Sequence, residues 1–153
     1  GYDLERSGLV FAIAVAIAVP ARIGWGWLAS RLVRPAVLLA WLGIGMAGAA
    51  VLTALIDPTW PTWATTIVAT LLSVTAVSWH GVLLAEVARL SPVGRIGATT
   101  GAVLAFGDAG SLILPLLFSA ALALTGGYDT GFLIGAAFAL AVGLRGLWQR
   151  YLR

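Results

Sequence analysis

The sequence predicts an all-α membrane protein, a polytopic bundle of five transmembrane helices. Of its 153 residues, 61% are hydrophobic and only 10% are charged, which is too little polar surface for a soluble domain of this size. The apolar residues are also gathered into five long runs, and a bilayer-crossing helix needs roughly 20 such residues. These runs form one transmembrane domain over residues 1–153, with spans at about 9–29, 36–56, 63–85, 98–125 and 130–147.

The breaks between the runs have the chemistry of turns. Arg34-Pro35 begins span two, with proline at a tolerated first-turn position. Residues 57–61 contain two prolines, which remove backbone donors and separate spans two and three. Ser-Pro-Val-Gly at 91–94 separates spans three and four, and Gly126-Gly127 ends span four. A run that is bounded in this way and lies in lipid must be helical, because its backbone has no water to bond.

The arginines predict the orientation. Most of them lie on one side of the predicted membrane, in the loops after spans one and three and at the C-terminal end (Arg31, Arg34, Arg89, Arg95, Arg145, Arg150 and Arg153), whereas Arg6 lies on the other side. Basic loops stay in the cytoplasm. The sequence therefore predicts a multi-pass protein of the cell (inner) membrane, with its N-terminus outside and its C-terminus cytoplasmic.

Composition also argues against several function classes. The net charge is +3, but the arginines are confined to short turns and form no basic face, so nucleic acid is not an expected partner. The chain has no cysteine and one histidine, so we expect no disulfide, metal site or cofactor. No nucleophile–base pair or catalytic motif occurs, and we expect no enzyme activity. The expected partners are the lipid bilayer and a small-molecule substrate.

Span three carries a polar stripe. Its members recur at spacings of four, three, four and three, which places them on one helical face (Thr66, Thr70, Ser73, Val77 and His80). One interpretation is that the stripe lines a water-filled cavity. The alternative is that the hydroxyls bond back to their own helix.

Three ionisable side chains lie within predicted spans and are candidates for substrate or ion binding. Arg22 either contacts an anionic substrate or extends towards the headgroups. His80 either relays protons or bonds a helix carbonyl as a neutral ring. Asp108 lies in the middle of span four, where it either pairs with Arg22 or titrates; a protonated, hydrogen-bonded aspartate inside the bundle is the structural alternative. We expect Asp108 to face a cavity or a missing part of the protein and to couple proton movement to conformational change.

Glu86 lies at the cytoplasmic end of span three, close to four arginines. We expect it to pair with one of Arg31, Arg34, Arg89 and Arg95, with Arg31 or Arg95 favoured, and to act on conformational balance. The alternative is a solvated carboxylate. Small residues, including the G-x-x-x-G of Gly97–Gly101 and the Gly43, Gly45, Ala47 and Gly48 set of span two, favour ordinary bundle packing over a dedicated dimer motif.

The loop after span one reads Gly-Trp-Gly-Trp-Leu-Ala-Ser-Arg-Leu-Val-Arg over residues 24–34. It resembles the signature loop of the major facilitator superfamily, with matches at Gly26, Leu28, Arg31 and Arg34 and departures at Ser30 and Val33. The second half is similar to helices ten to twelve of bacterial members, in the order of its motifs (Ala85-Glu86, Pro92, Arg95, Gly97, Gly101, Gly107, Gly110, Pro115 and the Thr-Gly-Gly-Tyr of 125–128).

The resemblance implies that the chain corresponds to helices eight to twelve of a secondary transporter. Such a protein moves small solutes by alternating access, with proton or ion coupling. It implies a conformational motif of Gly26, Arg31, Arg34, Glu86 and Arg95. Some members that carry organic anions have an arginine in the helix of Arg22, although Ala18 stands where they have an aspartate. Helices one to seven would belong to the same or a companion chain.

Two hypotheses therefore remain. One is the C-terminal part of a transporter, and a chain that starts with Gly1 and enters a span almost at once suggests the later part of something longer. The other is a stand-alone or remnant five-span protein that scaffolds or docks to a partner.

Overall fold

A computed structural model describes residues 3–151, and side chains for residues 3–149. Two arginines of the orientation argument, Arg150 (by its side chain) and Arg153, lie outside that description. Within it the chain is wholly helical apart from short connections, and it contains five segments long and apolar enough to cross a membrane. The prediction of an all-α bundle with five long apolar helices is confirmed.

The helices are α1 (Leu4–Arg31), α2 (Pro35–Ala54), α3 (Thr62–Ala76), α4 (His80–Leu90), α5 (Ile96–Thr125) and α6 (Tyr128–Tyr151). The third predicted span, at about 63–85, lies within Thr62–Leu90, which is long and apolar enough to cross a membrane. This segment is not one continuous helix, because it is divided into α3 and α4 at residues 77–79. Span two also ends earlier than predicted, at Ala54.

Local chemistry explains where the helices begin and end. The Asp3 carboxylate accepts a hydrogen bond of 2.8 Å from the Arg6 amide and caps α1. In the connection after α2, the hydroxyl and amide of Thr59 both donate to Asp57 and hold the pKa of that carboxyl below its usual value. Gly126 ends α5 with a φ of 72°, a left-handed conformation that glycine adopts without strain.

Helices α2 and α6 make the most extensive contact in the described chain. Small residues form the seam between them: a Cβ atom added to Gly143 would lie 2.8 Å from the Ala40 carbonyl oxygen. The alanines at positions 47, 50, 136 and 139 continue this seam and are buried. Close approach of backbones is how helices associate in lipid, where water exclusion gives no drive.

The remaining helices surround this pair unequally. Helix α1 packs on α3, and α4 contacts α1, α2 and α5. Helix α5 contacts only α4 and α6, and Ala121 is its one buried residue. Gly97 and Gly101 have nothing within 4 Å of an added Cβ atom, so these two glycines of the predicted G-x-x-x-G permit no close helix contact within the described chain.

Candidate functional site

The break in the third span is held by side chains of α1. The Trp25 indole Nε1 donates to the Val74 carbonyl oxygen at 3.1 Å, and the Arg22 Nη2 donates to the Val77 carbonyl oxygen at 3.1 Å. In the opposite direction, the Ser78 hydroxyl donates to the Ala18 carbonyl oxygen at 3.1 Å. An interrupted helix leaves carbonyls without their usual amide donors, and here two of them accept from a neighbouring span.

The sequence around the break favours interruption. Residues 74–81 read Val-Thr-Ala-Val-Ser-Trp-His-Gly, which includes β-branched, aromatic and glycine residues of low helix propensity. Ser78 is fully buried. Its hydroxyl would need an acceptor in any conformation, and the Ala18 carbonyl supplies one.

His80 lies at this break, at the start of α4. Its Nδ1 is 3.4 Å from the Val77 carbonyl oxygen, the same atom that Arg22 contacts. The imidazole also stacks on the Trp79 ring, with centroids 4.2 Å apart and an interplanar angle of 19°. The structure therefore brings two of the predicted site residues together around one backbone oxygen, and a carbonyl contact is the alternative left open for His80.

The two threonine hydroxyls of the predicted stripe bond to their own helix. Thr66 donates to the Thr62 carbonyl oxygen at 2.8 Å, and Thr70 donates to the Thr66 carbonyl oxygen at 2.7 Å. Because α3 ends at Ala76, a stripe that continues along one helix to His80 is wrong. Ser73 remains half-buried on α3. The threonines thus match the structural alternative, in which back-bonding satisfies them without water.

Asp108 lies apart from this group. It is exposed in the middle of α5 and forms no hydrogen bond or ion pair with the side chains described over residues 3–149. The pairing with Arg22 that the sequence allowed is not made, since Arg22 instead bonds the Val77 carbonyl. Two charged side chains of the predicted spans, Arg22 and Asp108, are therefore exposed without an oppositely charged partner among the described residues.

The prediction that favoured Arg31 or Arg95 as the partner of Glu86 is wrong. Glu86 is buried and pairs with Arg89, its neighbour one turn along α4, with two hydrogen bonds of 2.8 Å and 2.6 Å. Three residues along a helix lie on the same face, so this bidentate pair needs no loop to fold back. Arg34 and Arg95 instead precede the first residues of α2 and α5, and Gly26 borders open space.

A cavity of about 550 Å³ lies between α2, α3, α5 and α6. Its walls are largely apolar, with Trp79, Phe118, Phe132 and Phe138 as the aromatic members and Thr75 as the one hydroxyl. The Thr75 hydroxyl already donates to the Leu71 carbonyl oxygen at 2.8 Å. None of the predicted substrate-binding or ion-binding residues lines this cavity.

Sequence reasoning missed Trp25 and Ser78. The signals were present for both: an indole N–H and a buried hydroxyl in lipid both need acceptors. Which carbonyls would accept depended on where the third span breaks. No group of three or more His, Cys, Asp or Glu side chains that could hold a metal occurs among the described residues.

Comparisons with protein-family models, with curated proteins and with solved structures give no match for this sequence.

Proposed function

We propose that the chain is the C-terminal part of a facilitator-type secondary transporter, resembling helices eight to twelve of the major facilitator superfamily. It would move small solutes across the cell (inner) membrane by alternating access, with proton or ion coupling, and organic anions are one candidate substrate class. Further helices, in the same or a companion chain, would complete the path. The protein would act in transport, not in catalysis.

The observation that carries this proposal is the interrupted third span. Discontinuous transmembrane helices form substrate and ion sites in transporters, because their exposed backbone groups face a cavity or a neighbouring helix. The break at residues 77–79 lies where Arg22 and His80 meet one carbonyl oxygen. A guanidinium in this position retains donors for a carboxylate, which it can clamp through two parallel bonds.

The second candidate is a stand-alone or remnant protein that scaffolds or docks to a partner. The exposed α5, with a single buried residue, favours this candidate. The two candidates differ in whether solute moves.

Uptake by reconstituted vesicles tests the proposal. The purified gene product in proteoliposomes should accumulate radiolabelled succinate when the outside is acidified, and a protonophore should abolish the accumulation. Arg22→Gln should lower uptake at least tenfold, because the clamp is lost, whereas Arg6→Gln at the far end of α1 should not. Uptake no greater than in protein-free vesicles, for succinate and for a panel of mono- and dicarboxylates, would contradict this proposal and favour the docking protein.

We also propose that the N-terminus is outside and the C-terminus is cytoplasmic, as the arginine distribution indicates. The chain has no cysteine, so a single introduced cysteine reports its own side. A membrane-impermeant maleimide should label Thr59→Cys and Asp129→Cys in intact cells, and should label Ser91→Cys only after lysis. Labelling of Ser91→Cys in intact cells would show that the orientation is the opposite of the one proposed.

A further inference from the structure

Arg22 and Asp108 are opposite charges on two different exposed helix faces. Arg22 is exposed on α1, and one of its five N–H donors bonds the Val77 carbonyl oxygen. Asp108 is exposed on α5 and has no partner among the described side chains. A charge at this depth in lipid is unfavourable and is normally paired, and within one copy these two do not pair.

The two charges lie at similar depth, measured from the same side of the membrane. Arg22 is nine residues before Arg31, the last residue of α1, which corresponds to about 14 Å of helix. Asp108 is twelve residues after Ile96, the first residue of α5, which corresponds to about 18 Å. Successive spans alternate in direction, so the end of α1 and the start of α5 lie on one side.

The packing places both helices beside α4. Helix α4 contacts α1 and α5, whereas α1 and α5 do not contact each other. Helices α1 and α5 therefore lie on either side of α4 and do not touch each other. A two-fold axis along the membrane normal, next to α4, would bring α1 of one copy against α5 of the other. It would do so twice, because in such an interface residue i meets j and j meets i.

We propose that this chain pairs with a second copy of itself through these faces, so that Arg22 of each copy binds Asp108 of the other. We choose a second copy as the partner because the two exposed charges are opposite in sign and lie at similar depth. A two-fold axis would then form the same ion pair twice. Each guanidinium would use donors that its bond to the Val77 carbonyl oxygen leaves free.

Charge reversal tests the pairing. The full chain, labelled at one introduced cysteine, is reconstituted at low density in liposomes, and photobleaching steps count the subunits. We expect dimers, with an association constant that falls at least tenfold in Arg22→Asp and in Asp108→Arg, because each leaves like charges opposed. The double variant Arg22→Asp/Asp108→Arg should return to within about threefold of the starting value, because the pairs are re-formed. Arg6→Asp is the control and should leave the constant unchanged.

Disulfide cross-linking tests the geometry without a change of charge. Val19, one turn from Arg22, is 58% exposed, and Leu112, one turn from Asp108, is 73% exposed. Both lie on the same side of the charged pair, because the two helices run in opposite directions. Val19→Cys in one tagged copy should cross-link to Leu112→Cys in a differently tagged copy. Val51→Cys on α2 is the control, since Val51 lies at the depth of Leu112 and is 38% exposed.

Monomers in the counting experiment would overturn the proposal, as would dimers that are indifferent to charge reversal, no recovery in the double variant, or equal cross-linking to Val51→Cys. The proposal would also be overturned if the protein is a monomer in which a further segment of the gene product covers α5. Neither readout requires transport. Vesicles that take up no solute would leave a confirmed dimer intact, and a monomer that takes up solute would leave the proposed function intact.

Discussion

Gly143→Ala should destabilise the protein, although alanine is the better helix former. The new Cβ atom would lie 2.8 Å from the Ala40 carbonyl oxygen and 3.0 Å from the Ile44 amide nitrogen. These are backbone atoms of α2, so the helices must separate to make room. Overpacking of this kind costs ~1–3 kcal/mol, against a gain of ~0.5–1 kcal/mol from replacing glycine inside a helix. We expect a net loss of about 1–2 kcal/mol.

Gly135→Ala is the matched control, since it lies on the same helix and has nothing within 4 Å of an added Cβ atom. It should be neutral or slightly stabilising. Thermal unfolding in a mild detergent, followed by size-exclusion chromatography with fluorescence detection, measures both variants. Equal midpoints would mean that α2 and α6 do not approach each other as closely as the structure places them.

Asp108→Asn should abolish proton-driven accumulation of succinate while leaving exchange of the solute down its own gradient. Asparagine keeps the volume and the hydrogen-bonding capacity of aspartate, including bonds to a guanidinium, but it cannot carry a proton on and off. A carboxylate in the middle of a span costs about 2.5–3.5 kcal/mol. An exposed Asp108 is therefore expected to have a partner on a neighbouring subunit or segment.

Asp129→Asn, at the start of α6, is the control, because this aspartate lies at the end of a span and should tolerate the change. Uptake driven by an imposed pH gradient is compared with counterflow exchange in the same vesicles. Undiminished accumulation in Asp108→Asn would reduce the residue to a packing element. Loss of exchange as well would assign it to assembly.

Much of the fold follows from hydropathy and turn residues. Apolar runs of sufficient length, ended by residues 57–61, 91–94 and 126–127, were enough to place five spans. The break between Ala76 and His80 was missed. A window of hydropathy averages over three non-helical residues, and the interruption depends on donors from α1, a distant segment of the sequence. The low helix propensity of residues 74–81 is weak evidence for a break by itself. It becomes informative only together with the hydrogen bonds of Trp25 and Ser78.

For a similar reason, the candidate site residues could be predicted from the sequence but most of their partners could not. Ionisable residues within spans can be recognised one at a time, because lipid makes each unfavourable. Their partners depend on helix packing. Arg22 and His80 meet at the Val77 carbonyl oxygen, which no spacing rule could indicate. For Glu86 the local partner Arg89 was available from spacing alone, and a longer-range partner was favoured in error.

The pairing of α2 with α6 also constrains biogenesis. Gly43 and Gly143 are 100 positions apart along the chain, so the ribosome must finish the other three spans before this seam can close. During synthesis the glycine and alanine face of α2 stays uncovered in the lipid, available to the insertion machinery or to other helices. A nascent chain that ends before α6 would therefore expose this face of α2 to the lipid.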